Sequence, residues 1–184
     1  MARSQIKINL PGLLRMLGEN IYAEPDVAVR EMIQNAHDTS IIRSTRDKSL
    51  ANPTIEVAFD RQGRTLTFSD HDAGMTEDEL HKNLSTVGES FTRIQRDELR
   101  GANAREAALL VGQFGIGLLS AFSISKRVEV FTRSYQDGQT GLRWSCDGDI
   151  HYETEPCDKP EIGTRVVLHL LDSKLELLDE RRLR

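Results

Sequence analysis

Residues 54–68 have the pattern of a β-hairpin. Thr54-Ile55-Glu56-Val57-Ala58-Phe59 alternates apolar and polar, Asp60-Arg61-Gln62-Gly63 supplies a turn, and Thr65-Leu66-Thr67-Phe68 returns. Successive strand residues face opposite sides, so this alternation describes an antiparallel pair with one face buried. Further strands are expected at Ile6, Ile8 and Leu10, then at 127–133, 142–146, 150–154 and 163–170, with Pro11-Gly12 breaking the first. Trp144 reads as core or half-buried sheet. The remaining apolar residues follow helical spacing. Leu13, Leu14, Leu17 and Ile21 form one stripe, and Val29, Met32, Ile33 and Ala36 form a second behind Pro25, where a missing N–H costs nothing. Thr76 with Glu79 three residues on is a capping box opening another helix. Residues 43–53 read as loop or frayed helix. Residues 85–110 are polar and long for a connection, which marks a functional or mobile segment. Residues 172–184 read as helical with no C-cap signal, so the chain is expected to be a fragment of something longer.

Length and composition narrow the class. The 184 residues suit one domain able to bury about two-thirds of its unfolded surface. Twenty-four basic against 29 acidic residues give a net charge of −5, which argues against a nucleic-acid or membrane-surface partner. No apolar run approaches the ~20 residues of a membrane span, and the N-terminus has no signal-peptide core. Cys146 and Cys157 form no metal pattern, as expected of a reduced cytoplasmic protein. The five histidines are scattered without zinc-ligand spacing, and Ser90 and Ser120 lack the context of a nucleophile elbow.

Three constellations carry chemistry. Glu31, Asn35 and Asp38, at i, i+4 and i+7, project from one helix face opposite the apolar stripe. A solvated face commonly looks like this. The alternative is a carboxylate base beside an amide oxygen able to ligate Mg²⁺, which prefers oxygen and often keeps several waters. Asp70 ends the hairpin and is followed by Gly74-Met75-Thr76. This is either a turn with a favourable Asp or a buried acceptor for an exocyclic amine such as that of adenine, with Gly74 and Met75 against the base. Gly112-Gln113-Phe114-Gly115-Ile116-Gly117 opens a helix and can aim backbone N–H groups at an anion. It is neither a P-loop nor a dinucleotide fingerprint.

In this order, the motifs Val29-Arg30-Glu31-Met32-Ile33-Gln34-Asn35-Ala36-His37-Asp38, Asp70 to Thr76, Asn83-Leu84-Ser85-Thr86, and Val111 to Phe122 resemble the N-terminal ATP-binding domain of the heat-shock protein 90 (bacterial HtpG-like) chaperones. These sit within the superfamily shared with DNA gyrase, MutL repair proteins and histidine kinases. The resemblance spans nearly the whole chain, and the glycine run with Ser120-Ala121-Phe122 is its most chaperone-like part. It implies an α+β fold, a two-layer sandwich of the Bergerat type, with a mixed, mostly antiparallel sheet and helices on one face. It implies one ATP-binding domain over residues 1–184 with a lid at about 85–111.

The resemblance also implies slow Mg²⁺-dependent ATP hydrolysis driving a chaperone cycle. Glu31 would be the general base and Asn35 the Mg²⁺ ligand. Asp38 would order the pocket wall, and Asp70 would accept from the adenine amine, with Thr164 supporting it through water. Gly74 and Met75 would line the base pocket, and Asn83 would lie near sugar and phosphates. Gln113, Phe114, Gly115, Ile116, Gly117 and Leu118 would give backbone N–H groups to the phosphates. ATP or ADP and Mg²⁺ are the implied cofactors. Client proteins would bind through downstream domains, and a homodimer would form only in the longer protein. The chain departs from the family at Asp72, where the family has glycine; at Glu89, where a lid lysine is usual; and at Leu118, where an aromatic is common. Asp72 and Glu89 motivate a second possibility, a nucleotide-gated interaction module with little hydrolysis. Another branch of the superfamily is a third.

Overall fold

A computed structural model describes residues 9–20, 24–46, 54–85, 117–136, 138 and 140–179. The elements are α1 (Leu10–Asn20), α2 (Pro25–Arg46), β1 (Ile55–Asp60), β2 (Thr65–Asp70), α3 (Glu77–Ser85), α4 (Gly117–Ala121), β3 (Ser125–Arg133), β4 (Leu142–Cys146), β5 (Glu153–Pro156), β6 (Gly163–Leu170) and a 3-10 turn over Asp172–Leu177. The strands form one open sheet in the order β1-β2-β6-β3-β4-β5, and each described pairing is antiparallel. This is the expected α+β layout with a mostly antiparallel sheet.

Register explains where the core lies. One row across the sheet is Leu66, Leu168, Val128 and Cys146; the next is Phe68, Val166, Val130 and Trp144. These inward side chains join Ala28 and Met32 of α2, Leu80 of α3, and Ala121 and Ile124 from α4 and its exit in one buried cluster. A third row, Thr164 and Thr132 beside the end of β2 at Asp70, is polar and buried. The core turns polar at this end of the sheet. The opposite face carries an ionic ladder: Glu129 accepts from Arg143 Nε at 3.0 Å and from His169 Nε2 at 2.6 Å.

Several local expectations change. Leu10 and Pro11-Gly12 form the first turn of α1, where Asn9 caps by accepting from the Gly12 N–H at 3.2 Å, so Leu10 is helical and not the end of a strand. A proline in a first turn forfeits no intrahelical bond. Residues 1–8 lie outside the described residues. Helix α2 runs on to Arg46, so 43–46 take the helical one of the two readings, and 47–53 lie outside the described residues. Its buried apolar positions are Ala28, Met32, Ala36 and Ile42, whereas Ile33 is exposed. The strand expected at 150–154 is Glu153–Pro156, with Ile150 and Tyr152 on the surface. The C-terminal helix is a short 3-10 turn, and residues 180–184 lie outside the described residues. The hairpin turn forms as expected: Asp60 Oδ1 accepts from the Gln62 N–H at 2.8 Å, and Arg64 takes the left-handed conformation at φ 55°.

Candidate functional site

Glu31 and Asn35 meet the start of α4. A β-carbon at Gly117 would lie 3.0 Å from Glu31 Oε2 and 3.3 Å from Asn35 Nδ2, so only glycine fits there without displacing them. The last glycine of the glycine-rich run therefore abuts the carboxylate and the amide of α2. Burial raises the Glu31 carboxyl above its ordinary value; Arg30 opposes this and the Asp38 charge adds to it. Such a carboxylate holds a proton more readily than a surface Glu, which suits a base. Asp38 was expected on the polar face with them. It is buried there, at 1% exposure, 3.5 Å from His37 Nδ1. Seven residues turn a 3.6-residue helix to within about 20° of two full turns, so Asp38 keeps the side of α2 that Glu31 occupies, and its charge reaches that carboxyl.

The second cluster surrounds Asp70. Its Oδ1 accepts from the Asp72 N–H at 3.1 Å and the Thr164 N–H at 3.0 Å. Among the described residues, nothing donates to its Oδ2. Burial pushes its carboxyl up to about 6 despite both N–H bonds. Thr164 supports Asp70 directly through its main chain, while its hydroxyl meets that of Thr132 at 3.1 Å. Thr132 Oγ1 also accepts from the Met75 N–H at 2.8 Å, and the Tyr135 N–H donates to the Ala73 carbonyl at 2.9 Å. The loop after β2 is thus stitched to the end of β3. Gly74, at φ 59°, is required there: a β-carbon would sit 1.9 Å from the Arg133 carbonyl oxygen. Met75 and Leu118 pack against the core.

Asp72 occupies no left-handed position, since Arg64 alone among the described non-glycine residues has positive φ. Its side chain is buried and accepts from the Ser40 hydroxyl, and its main-chain carbonyl accepts from Arg43 Nη1. Burial raises its carboxyl, with Ser40, Arg43 and His71 opposing.

The two clusters lie along one helix. Asn35 contacts Gly117, and Ser40, five residues on, contacts the loop behind Asp70, about 7.5 Å further along the axis at 1.5 Å per residue. Asn83 is half-buried on α3, with no hydrogen bond to either cluster. Gln113, Phe114, Gly115, Ile116, Glu89 and the expected lid lie outside the described residues. Reading the sequence missed Thr132, Ser40 and Arg43. Thr132 is one inward position in an alternating strand, and nothing local marks it.

A sequence profile of the histidine kinase-, DNA gyrase B- and HSP90-like ATPases matches residues 22–165, which takes in both clusters. The chain belongs to this ATPase family. It is also similar to proteins named chaperone protein HtpG. It is 39% identical to that of Alkalilimnicola ehrlichii over 94% of the chain and 28% of the relative. It is 34% identical to that of Idiomarina loihiensis over 100% and 30%, and 37% identical to that of Coxiella burnetii over 94% and 28%. The chain therefore spans under a third of the length of these relatives. Within this ATPase family member, no described group of three or more His, Cys, Asp or Glu residues could hold a metal. No described helix is long and apolar enough to cross a membrane.

Proposed function

We propose that residues 1–184 form one ATP-binding domain that hydrolyses ATP slowly as part of a molecular chaperone. The observation that carries this reading is the pair of polar ends along α2. A carboxylate and an amide meet the end of a glycine-rich run at one end, and a buried aspartate whose Oδ2 takes no hydrogen bond from the described residues stands behind the other. A nucleotide needs both: an acceptor for a base amine, and N–H groups with a cation ligand for the phosphates.

Asp70 Oδ2 accepts from the adenine amine while Oδ1 stays fixed by Asp72 and Thr164. Asn35 Oδ1 would hold Mg²⁺; a sparse protein ligand set suits this ion, which commonly keeps waters and substrate phosphates. When bound, Mg²⁺ neutralises phosphate charge. Glu31 accepts the proton of the attacking water, and its raised basicity follows from partial burial. Gly117 with Gln113 to Ile116 contributes backbone N–H groups to the phosphates, and residues 85–111 close over them. No step requires a covalent intermediate, since phosphoryl transfer depends on positioning and charge. Turnover of this segment alone is slow, and a cation that completes the phosphate clamp comes from a downstream domain. Client proteins and a dimer partner bind through downstream domains too, and the protein works in the cytoplasm.

Titration calorimetry with Mg-ADP and Mg-ATP tests this reading, together with turnover of Glu31→Ala. Binding that survives the substitution while hydrolysis collapses supports an ATPase. Absence of nucleotide binding by the unaltered chain ends the reading. The alternative, a nucleotide-gated module without useful hydrolysis, expects Glu31→Ala to alter neither property. Asp72 no longer favours it, because its carboxylate is turned onto Ser40 of α2.

A further inference from the structure

We propose that Asp72 is a positioning residue: with Ser40 and Arg43 it straps the loop after β2 to α2, so that its own N–H stays on Asp70 Oδ1. The proposal rests on the reading of Asp70 as the adenine acceptor.

Asp72 is a carboxylate at 1% exposure, where an unpaired charge would be expelled or neutralised. It stays because α2 supplies its partners. The Ser40 hydroxyl donates to Oδ2. One turn away, Arg43 donates through Nη1 to the Asp72 carbonyl and, at 3.4 Å, to the His71 carbonyl, with its guanidinium 5.5 Å over the Tyr135 ring. The loop is held by side chain and main chain at once, from the helix that carries Glu31 and Asn35. A glycine at position 72 offers no side chain for this. The N–H of the same residue is one of the two donors that orient Asp70. The charged or titratable groups around Asp72 are Arg43 and His71; those around Asp70 are Asp72 and Lys159. Helix α2 therefore sets both ends of the site, the phosphate end through its own side chains and the base end through this strap.

Ser40→Ala removes the hydroxyl and neither adds nor deletes an ionisable group. Two measurements on the 184-residue chain follow. The first, without nucleotide, is the titration of the Asp70 carboxyl by carbon NMR. Loosening of the Asp72 N–H makes Asp70 hold its proton to a higher pH than in the unaltered chain. The second is Mg-ADP affinity at neutral pH, expected to fall about five- to tenfold. Asp72→Ala behaves like Ser40→Ala, whereas Asp72→Asn, whose amide oxygen still accepts from Ser40, keeps near-normal affinity. An unchanged Asp70 titration in Ser40→Ala overturns the strap, as does an Asp72→Asn variant that binds as poorly as Asp72→Ala. Should the unaltered chain bind no Mg-ADP, the adenine reading falls, while the Asp70 titration still judges the strap.

Discussion

Asp70→Asn separates what the site gains from that carboxylate from what the fold loses by it. The Asp70 carboxyl is raised from 3.8 to about 6, mainly by burial. Below about pH 3.8 both folded and unfolded chains hold the proton, and Asp70 contributes nothing. Between 3.8 and about 6 only the folded chain holds it, so stability falls as pH rises. Above about 6 the fold carries the buried charge at full cost. That cost is about two units at 1.36 kcal/mol each, or up to about 3 kcal/mol. Asparagine keeps an oxygen for the N–H groups of Asp72 and Thr164 and carries no charge. The variant is expected to match the unaltered chain near pH 4 and to exceed it by up to about 3 kcal/mol near pH 7.5, read by urea denaturation at both values. Its affinity for Mg-ADP is expected to fall by about 1.5–3 kcal/mol, the worth of a charged hydrogen bond. Equal stabilities at both pH values, or a less stable variant near pH 7.5, would refute the account of Asp70 as a buried charge.

Other outcomes follow from the same contacts. Glu31→Ala should leave Mg-ADP binding intact and lower hydrolysis by about a hundredfold or more, measured as phosphate release. Gly74→Ala forces a β-carbon onto the Arg133 carbonyl at φ 59° and should cost about 3 kcal/mol or more, seen as a lowered melting temperature. At Glu129 burial disfavours the charge, but hydrogen bonds from His169 and Arg143 outweigh it and hold the carboxyl below its ordinary value. Its stabilisation is present above about pH 4.5 and is lost as pH falls through the folded value. Glu129→Gln should therefore cost about 1–2 kcal/mol near pH 7 and flatten the acid limb of the stability curve.

What was legible in the sequence follows the range of the forces involved. The hairpin 54–68 is fixed by alternation and a local Asx turn, and it forms with Val57 opposite Phe68. The Thr76–Glu79 capping box closes as expected: Glu79 accepts from the Thr76 N–H at 2.9 Å, and Thr76 Oγ1 accepts from the Glu79 N–H at 3.3 Å. Glu31 and Asn35 were readable as one face because i and i+4 always share it. Asp38 at i+7 was readable in the same way, but its burial was not, since that depends on what packs against α2. Pro11-Gly12 misled because the same dipeptide ends a strand or begins a helix, and the preceding Asn9 decides which. The ring around Asp70 was half legible. The aspartate and glycine stood out, but Thr132 arrives from a strand 62 positions further along, by register alone.

The position of β6 gives the assembly of the domain a particular timing. The last of the described strands lies in the middle of the sheet, between β2 and β3. A chain emerging from the ribosome can pair β1 with β2 and β3 with β4, but these halves stay apart until residues 163–170 arrive to join them. Such pairing across long separations is slow, and meanwhile two sheet edges stand open to other chains. The same strand delivers the Thr164 N–H to Asp70. Sealing the halves and finishing the carboxylate's cradle are one event, so a nascent chain truncated before Gly163 lacks both.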